Sequence, residues 1–253
     1  LSYKEINRTI NAIPHCRLIE LEENLGRARI RNYLADEAQH TWLLFMDADA
    51  EVISQTFIAD YLALTEQGIE VVCGGLCHAD TLPTPEVSLR YAYEKRADKR
   101  RAAYYREKRP YEQFTPFNFL INRNTFQSIR FNEHITEYGH EDTLFGITLK
   151  EKGISIRHID NPLLHTGLEK NELFLSKTRV ALRNLSAMEA TMQGHSSLLK
   201  LHNLLHGVGL DYCMARWFAR KEQVLTKRLT EKRPSVYLFF IYKLGYYCQI
   251  KQS

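Results

Sequence analysis

The apolar positions of this chain fall in short, nearly unbroken runs, two of them stopped by acids or glycines. Residues 42–46 are all apolar and lead straight into Asp47 and Asp49. Residues 69–73 stop at Gly74 and Gly75, and residues 117–121 form a third such run. Runs of this length predict strands covered on both faces, as in a parallel sheet. Between them the spacing becomes helical. It predicts helices over residues 27–38, over 55–66 with Ser54 as cap and Gly68 as stop, over 124–128, and over 142–152 with Gly153 as stop. Residues 1–12 read as a polar helix, and residues 15–21 alternate like a short strand. Residues 154–158 and 161–165 read as extended. This alternation of strand and helix predicts an α/β fold with βαβ units on a mostly parallel sheet.

Residues 85–108 interrupt the alternation and read as one helix. After Gly167 the strand signals stop. The expected division is therefore an α/β unit over residues 1–170 and a helical C-terminal extension over 171–253.

Composition adds limits. With 44% hydrophobic and 25% charged residues the chain is an ordinary soluble one. A net charge of +4 does not make a nucleic-acid protein. The five cysteines form no C-x-x-C pair, so reduced thiols in a cytoplasmic setting are expected and a zinc site is not. No run of apolar residues is long enough to span a bilayer.

Charge is unevenly placed. The stretch 85–108 carries Arg90, Lys95, Arg96, Lys99, Arg100, Arg101, Arg106 and Lys108, interleaved with Tyr91, Tyr93, Tyr104 and Tyr105. It is either a solvated charged helix or a mobile arm that meets phosphates through the planar Arg fork, with Arg96, Arg100 and Arg101 as its contacts. The stretch from Lys200 onward holds ten basic and three acidic side chains, followed by the apolar residues 236–242. It either packs as a terminal helix or makes a peripheral contact with the inner face of a membrane.

Asp47 and Asp49 stand where a buried strand leaves its sheet, the edge at which open α/β sheets bind ligands. Two carboxylates there suit a hard divalent cation shared with substrate phosphates. The competing reading is a polar turn after a strand, because Asp is a common turn residue.

Three segments together resemble family 2 glycosyltransferases. Asn24-Leu25-Gly26, continuing to Arg31-Asn32, is similar to their N-x-G…A-R-N stretch, with Ile30 where Ala is usual. Phe45-Met46-Asp47-Ala48-Asp49 is similar to their D-x-D motif. Phe131-Asn132-Glu133 with Gly139-His140-Glu141-Asp142 is similar to their F-D-E…G-x-E-D segment. Order and spacing match across residues 15–165. The resemblance implies a bacterial inverting enzyme with a GT-A fold that moves a sugar from a nucleotide-diphospho-sugar, UDP-sugar favoured, to a saccharide or lipid-linked acceptor in surface polysaccharide or glycoconjugate synthesis.

It also implies roles. Asn24, Gly26, Arg31, Asn32 and Asp47 would contact the donor. Asp49, Asp47 and His165 would hold Mn²⁺ or Mg²⁺. Asp142 would be the catalytic base, with Glu141 orienting it or the acceptor. The two opening strands that bind the nucleoside in the family are not in this sequence, so an N-terminally incomplete catalytic unit is expected. Two other functions stay open: a nucleotidyltransferase on a related sheet, and a non-catalytic membrane-associated fragment.

Overall fold

The computed structural model describes residues 3–135 and 138–252. Of the predicted N-terminal helix, Leu1 and Ser2 lie outside these residues, as do Thr136 and Glu137 of the loop that follows Phe131. In chain order the elements are α1 (Tyr3–Arg8), α2 (Gly26–Glu37), β1 (Trp42–Met46), β2 (Ala50–Val52), α3 (Phe57–Thr65), β3 (Val71–Cys73) and β4 (Leu76–Cys77). They continue with α4 (Ser88–Asp98), α5 (Ala103–Arg106), β5 (Asn118–Asn122), α6 (Arg123–Ile129), α7 (Glu141–Glu151), β6 (Ile156–His158) and β7 (Leu163–His165). The chain closes with α8 (Asn171–Ala187), α9 (Glu189–Met192), α10 (Ser197–Gly207), α11 (Leu210–Thr230) and α12 (Val236–Gln252).

The main sheet has the order β1-β5-β3-β6. β3 and β6 are parallel, while β5 is antiparallel to both of its neighbours. Thus β1, β3 and β6 run one way, as expected of a mostly parallel sheet, and β5 is inserted against them. A smaller sheet, β2-β7-β4, pairs β2 antiparallel to β7 and β7 parallel to β4. Residues 15–21 were expected to be a strand but pair with none. The alternating pattern has no neighbour to pair with, and Leu18 N–H donates instead to Asn11 Oδ1 at 2.7 Å.

Side chains of the main sheet alternate between two cores, as the period-2 pleat requires. Leu43, Val71, Cys73, Phe119 and Ile121 meet Ala28 and Ala35 of α2, Phe126 of α6, and Phe145 and Leu149 of α7. Val72 and Leu120 face the other way, onto Phe57 and Tyr61 of α3 and Leu163 of β7. Burial on both faces explains why these strands are continuously apolar. Each fully buried side chain of this size contributes about 1.5–3 kcal/mol.

The helix expected over 85–108 is broken after Asp98. Ala103 N–H donates to Asp160 Oδ1 at 2.6 Å and starts α5 anew. That break delivers Arg106 into the interior. Its guanidinium donates to the carbonyls of Arg101, Cys73, Gly74 and Ile159 and to His158 Nδ1. Burial holds the Arg106 guanidinium below its usual pKa and pushes His158 down to about 4. Arg106 is therefore a structural cation that closes the ends of β3 and β6. Arg106→Met should destabilise the protein by roughly 2–5 kcal/mol, because it leaves several buried carbonyls without a donor. Urea unfolding monitored by circular dichroism measures the loss, and a value within 1 kcal/mol of wild type would refute the assignment.

The C-terminal helices do not stand apart from the α/β unit. Leu89 of α4 is buried with Phe174 and Leu175 of α8, Phe218 of α11, and Phe239 and Tyr242 of α12. The apolar stretch 236–242 accordingly packs as part of a terminal helix, with Phe239 and Tyr242 inside and Tyr237 and Phe240 facing out. Among the described residues no helix is long and apolar enough to cross a membrane.

Candidate active site

The two acids after β1 occupy a tight turn. Asp47 N–H donates to Phe117 O, and Ala50 N–H returns to Asp47 O at 3.1 Å. The chain thereby passes from the main sheet to β2 of the small one. The turn expected from Asp chemistry is present, and both carboxylates line a cavity of about 340 Å³. Around it stand Arg27, Arg90, Glu94, Arg101, Glu141, Asp142 and His165.

The pairing of β2 with β7 sets Ala50 opposite His165. This register brings Asp49 Oδ2 to 3.2 Å from His165 Nε2 across 116 positions of sequence. Thr166 adds two hydrogen bonds to the Asp49 carbonyl, both 2.9 Å. A Cβ on Gly167 would lie 2.1 Å from Asp49 Oδ2, so glycine there leaves the carboxylate its place. The hydrogen bond from His165 holds the Asp49 carboxyl below its usual range. For His165, burial pulls the pKa down, but the hydrogen bonds to Asp49 and Glu94 and the charge of Glu94 outweigh it and raise it to about 9. Carboxylate oxygen and imidazole nitrogen suit Mn²⁺ and, with less nitrogen preference, Mg²⁺.

Asp47 is engaged differently. Its Oδ1 accepts from Arg31 Nη2 at 2.7 Å, and Arg31 is almost wholly buried on α2. Arg31 Nη1 lies 3.9 Å from Glu141 Oε1 and has no hydrogen-bond partner among the described residues. Arg27, one turn earlier on the same helix face, reaches Glu141 Oε1 at 3.4 Å. The two arginines thus brace Asp47 and Glu141 from behind.

Asp142 is next to Glu141 in the first turn of α7. Asp142 Oδ1 accepts from Thr143 N–H at 2.7 Å, while Glu141 is buried against the arginines. His140, in the left-handed conformation before α7, points away and its Nε2 faces Ala181 O.

Asn24, Gly26 and Asn32, expected to contact the donor, do not line this cavity. Both ends of the Asn32 amide are bound to the loop after α6: Nδ2 donates to Phe131 O and Glu133 Oε1, and Oδ1 accepts from Phe131 N–H. Asn32 is therefore a buried anchor for the loop that leads to α7, not a surface group open to donor. Asn24 and Gly26 line a second hollow of about 340 Å³ at the start of α2, which shares Arg27 with the first. The Asn24 side chain accepts from Gly26 N–H at 2.9 Å and shapes this turn.

Of the expected arm, Arg96 and Arg100 line a trough of about 970 Å³, and Arg101 lines both trough and cavity. Six cations line the trough, Lys99, Lys108 and Arg109 being the others, against the single carboxylate of Glu94. Of these only Arg96 is on α4, which is anchored through Leu89; the others follow its end at Asp98.

Glu94 and His78 are the site residues the sequence reading missed. Glu94 Oε2 lies 3.1 Å from His165 Nδ1 and 2.5 Å from His78 Nε2, and its Oε1 accepts from Arg90 Nε at 2.8 Å. Burial would raise the Glu94 pKa, but these three partners hold it far below the usual carboxylate range. The one available signal was an acid four residues after Arg90 within a basic helix.

Comparison with known proteins bears on what this cavity belongs to. Residues 2–134, more than half of the chain, match the family described as Glycosyl transferase family 2. The chain belongs to that family. The glycosyl transferase family 2 match covers α2, the D-x-D turn, α4 and β5, and stops before α7. Among solved structures the chain is similar to S. aureus TarS, with 18% identity over 72% of this chain and a TM-score of 0.44. It spans 31% of that chain's length. Crystal structures of TarS 1–349, alone and in complex with UDP, align over 99% of this chain at 14% identity with TM-scores of 0.47 and 0.44. They are covered to 79% and 78%, respectively. No curated protein matches the sequence.

Proposed function

We propose that this family 2 protein transfers a sugar, with inversion, from a nucleotide-diphospho-sugar to an acceptor hydroxyl with the help of Mn²⁺ or Mg²⁺. The observation that carries the reading is the convergence of Asp47, Asp49, His165 and Asp142 on one cavity, together with membership of the family. Asp49 and His165 would hold the cation, with Asp47 beside them. A cation there supplies Lewis-acid neutralisation of the leaving diphosphate. Arg27, which links the cavity to the hollow at the start of α2, is placed to meet the phosphates.

In the transfer the bond from the sugar's anomeric carbon to the diphosphate oxygen breaks as the acceptor oxygen bonds from the opposite face. The acceptor proton passes to Asp142, whose carboxylate is adjacent to the cavity. Arg31 keeps Asp47 and Glu141 in place during this step. The basic trough supports an acceptor that carries phosphate, whether a saccharide or a lipid-linked one, with Arg96, Arg100 and Arg101 as its contacts.

The test is an assay of UDP release from a panel of UDP-sugars, with Mn²⁺, Mg²⁺ or EDTA, followed by NMR assignment of the product anomer. Cation-dependent release with an inverted linkage is expected. Consumption of nucleoside triphosphates in place of UDP-sugars would refute the reading in favour of nucleotidyl transfer, and a retained anomer would refute inversion.

A further inference from the structure

Five side chains from four parts of the chain form one line of alternating carboxylates and imidazoles, with Glu94 and Asp98 both on α4. It runs Asp98, His78, Glu94, His165, Asp49. His78 Nδ1 faces Asp98 Oδ1 at 2.9 Å, and its Nε2 faces Glu94. Glu94 faces His165 Nδ1, and His165 Nε2 faces Asp49. The two rings are edge to face with centroids 5.6 Å apart, and the His78 side chain is wholly buried. No other part of the described structure sets two imidazoles on one carboxylate.

This line has a direction. Asp49, His165 and Glu94 line the candidate cavity while His78 and Asp98 do not, and Glu94 is fixed from a third side by Arg90. A carboxylate held by three donors cannot swing away from His165. It accepts the Nδ1–H of that ring, so the nitrogen that gives up its proton to an incoming ion is Nε2, on the side of Asp49. Ligating histidines are commonly oriented in this way, by a carboxylate on the nitrogen that does not bind the ion.

The geometry points to Glu94 and His78 as positioning residues that set the cation affinity of Asp49 and His165, Glu94 by fixing the His165 ring and His78 by locking Glu94. This rests on the cation site proposed above. α4 therefore serves both features: Arg96 lines the trough, and Glu94 holds the imidazole.

The test measures Mn²⁺ affinity of the full chain by electron paramagnetic resonance, without any turnover, for wild type, Asp49→Asn, Glu94→Gln and His78→Gln. Asp49→Asn should lose binding. Glu94→Gln should bind roughly 10–100-fold more weakly, the usual effect of removing an orienting partner, and His78→Gln should fall between it and wild type. Wild-type affinity in Glu94→Gln with binding lost in Asp49→Asn would overturn the positioning role and leave the cation site standing. Wild-type affinity in Asp49→Asn would overturn the cation site itself. Binding lost in His78→Gln but kept in Asp49→Asn would place the ion between the imidazoles and overturn both. Should Glu94→Gln fail to fold, nitrogen NMR of His165 in the Mg²⁺-loaded wild type decides: a proton on Nδ1 is expected, and a proton on Nε2 overturns the inference.

Discussion

In Asp142→Asn, sugar transfer should fall by roughly 10²–10⁴-fold in kcat, the usual worth of a general base. Asn retains the shape of Asp and can accept the Thr143 N–H that Asp142 Oδ1 now accepts. The first turn of α7 should therefore keep its place, and Glu141 should stay against Arg27 and Arg31. What is lost is the ability to take a proton from the acceptor hydroxyl. Because that proton belongs to the acceptor, donor affinity should change little. Steady-state kinetics and a donor titration together decide the matter: a variant that loses donor binding with kcat intact would make Asp142 a structural residue.

Asp49→Asn should lower cation-dependent transfer by about three orders of magnitude, since Lewis-acid stabilisation is worth several kcal/mol. The amide cannot neutralise a cation, and it removes one of the two carboxylates that face His165. The pH dependence carries a sign. With its pKa raised to about 9, the cation-free His165 holds a proton at neutral pH. An ion that takes Nε2 must displace that proton, so affinity should rise with pH up to about 9 and flatten above it. Calorimetry at pH 6.5 and 8.5 reads this. Equal affinity at both values would show that His165 is not a ligand, and unchanged transfer in Asp49→Asn or in EDTA would remove the cation from the reaction.

The strand that ends at Asp47 was legible because an apolar run stopped by acids can only be covered on both faces and then exposed. The direction of β5 was not legible, since an apolar run contains no sign of whether its neighbours run with it or against it. Strand pairing for residues 15–21 failed for the opposite reason, because alternation needs a neighbour that only the tertiary fold provides. In the site, Asp47, Asp49 and Asp142 came from motif order. Glu94 did not, because its partners lie 16 and 71 positions away and its surroundings in sequence are basic. Arg31 and Asn32 were found as positions but not as roles; their buried hydrogen bonds show that they support other residues.

Helix α4 is rooted in one core and acts in another. Leu89 is sealed among the C-terminal helices, while five residues later Glu94 grips His165 at the candidate cavity. Opening of one end of this helix therefore disturbs the other. One consequence is an expected coupling between the unfolding of the α/β layers and that of the helical extension. Residues remote from the cavity, such as Phe239 of α12, would then bear on how long its geometry survives.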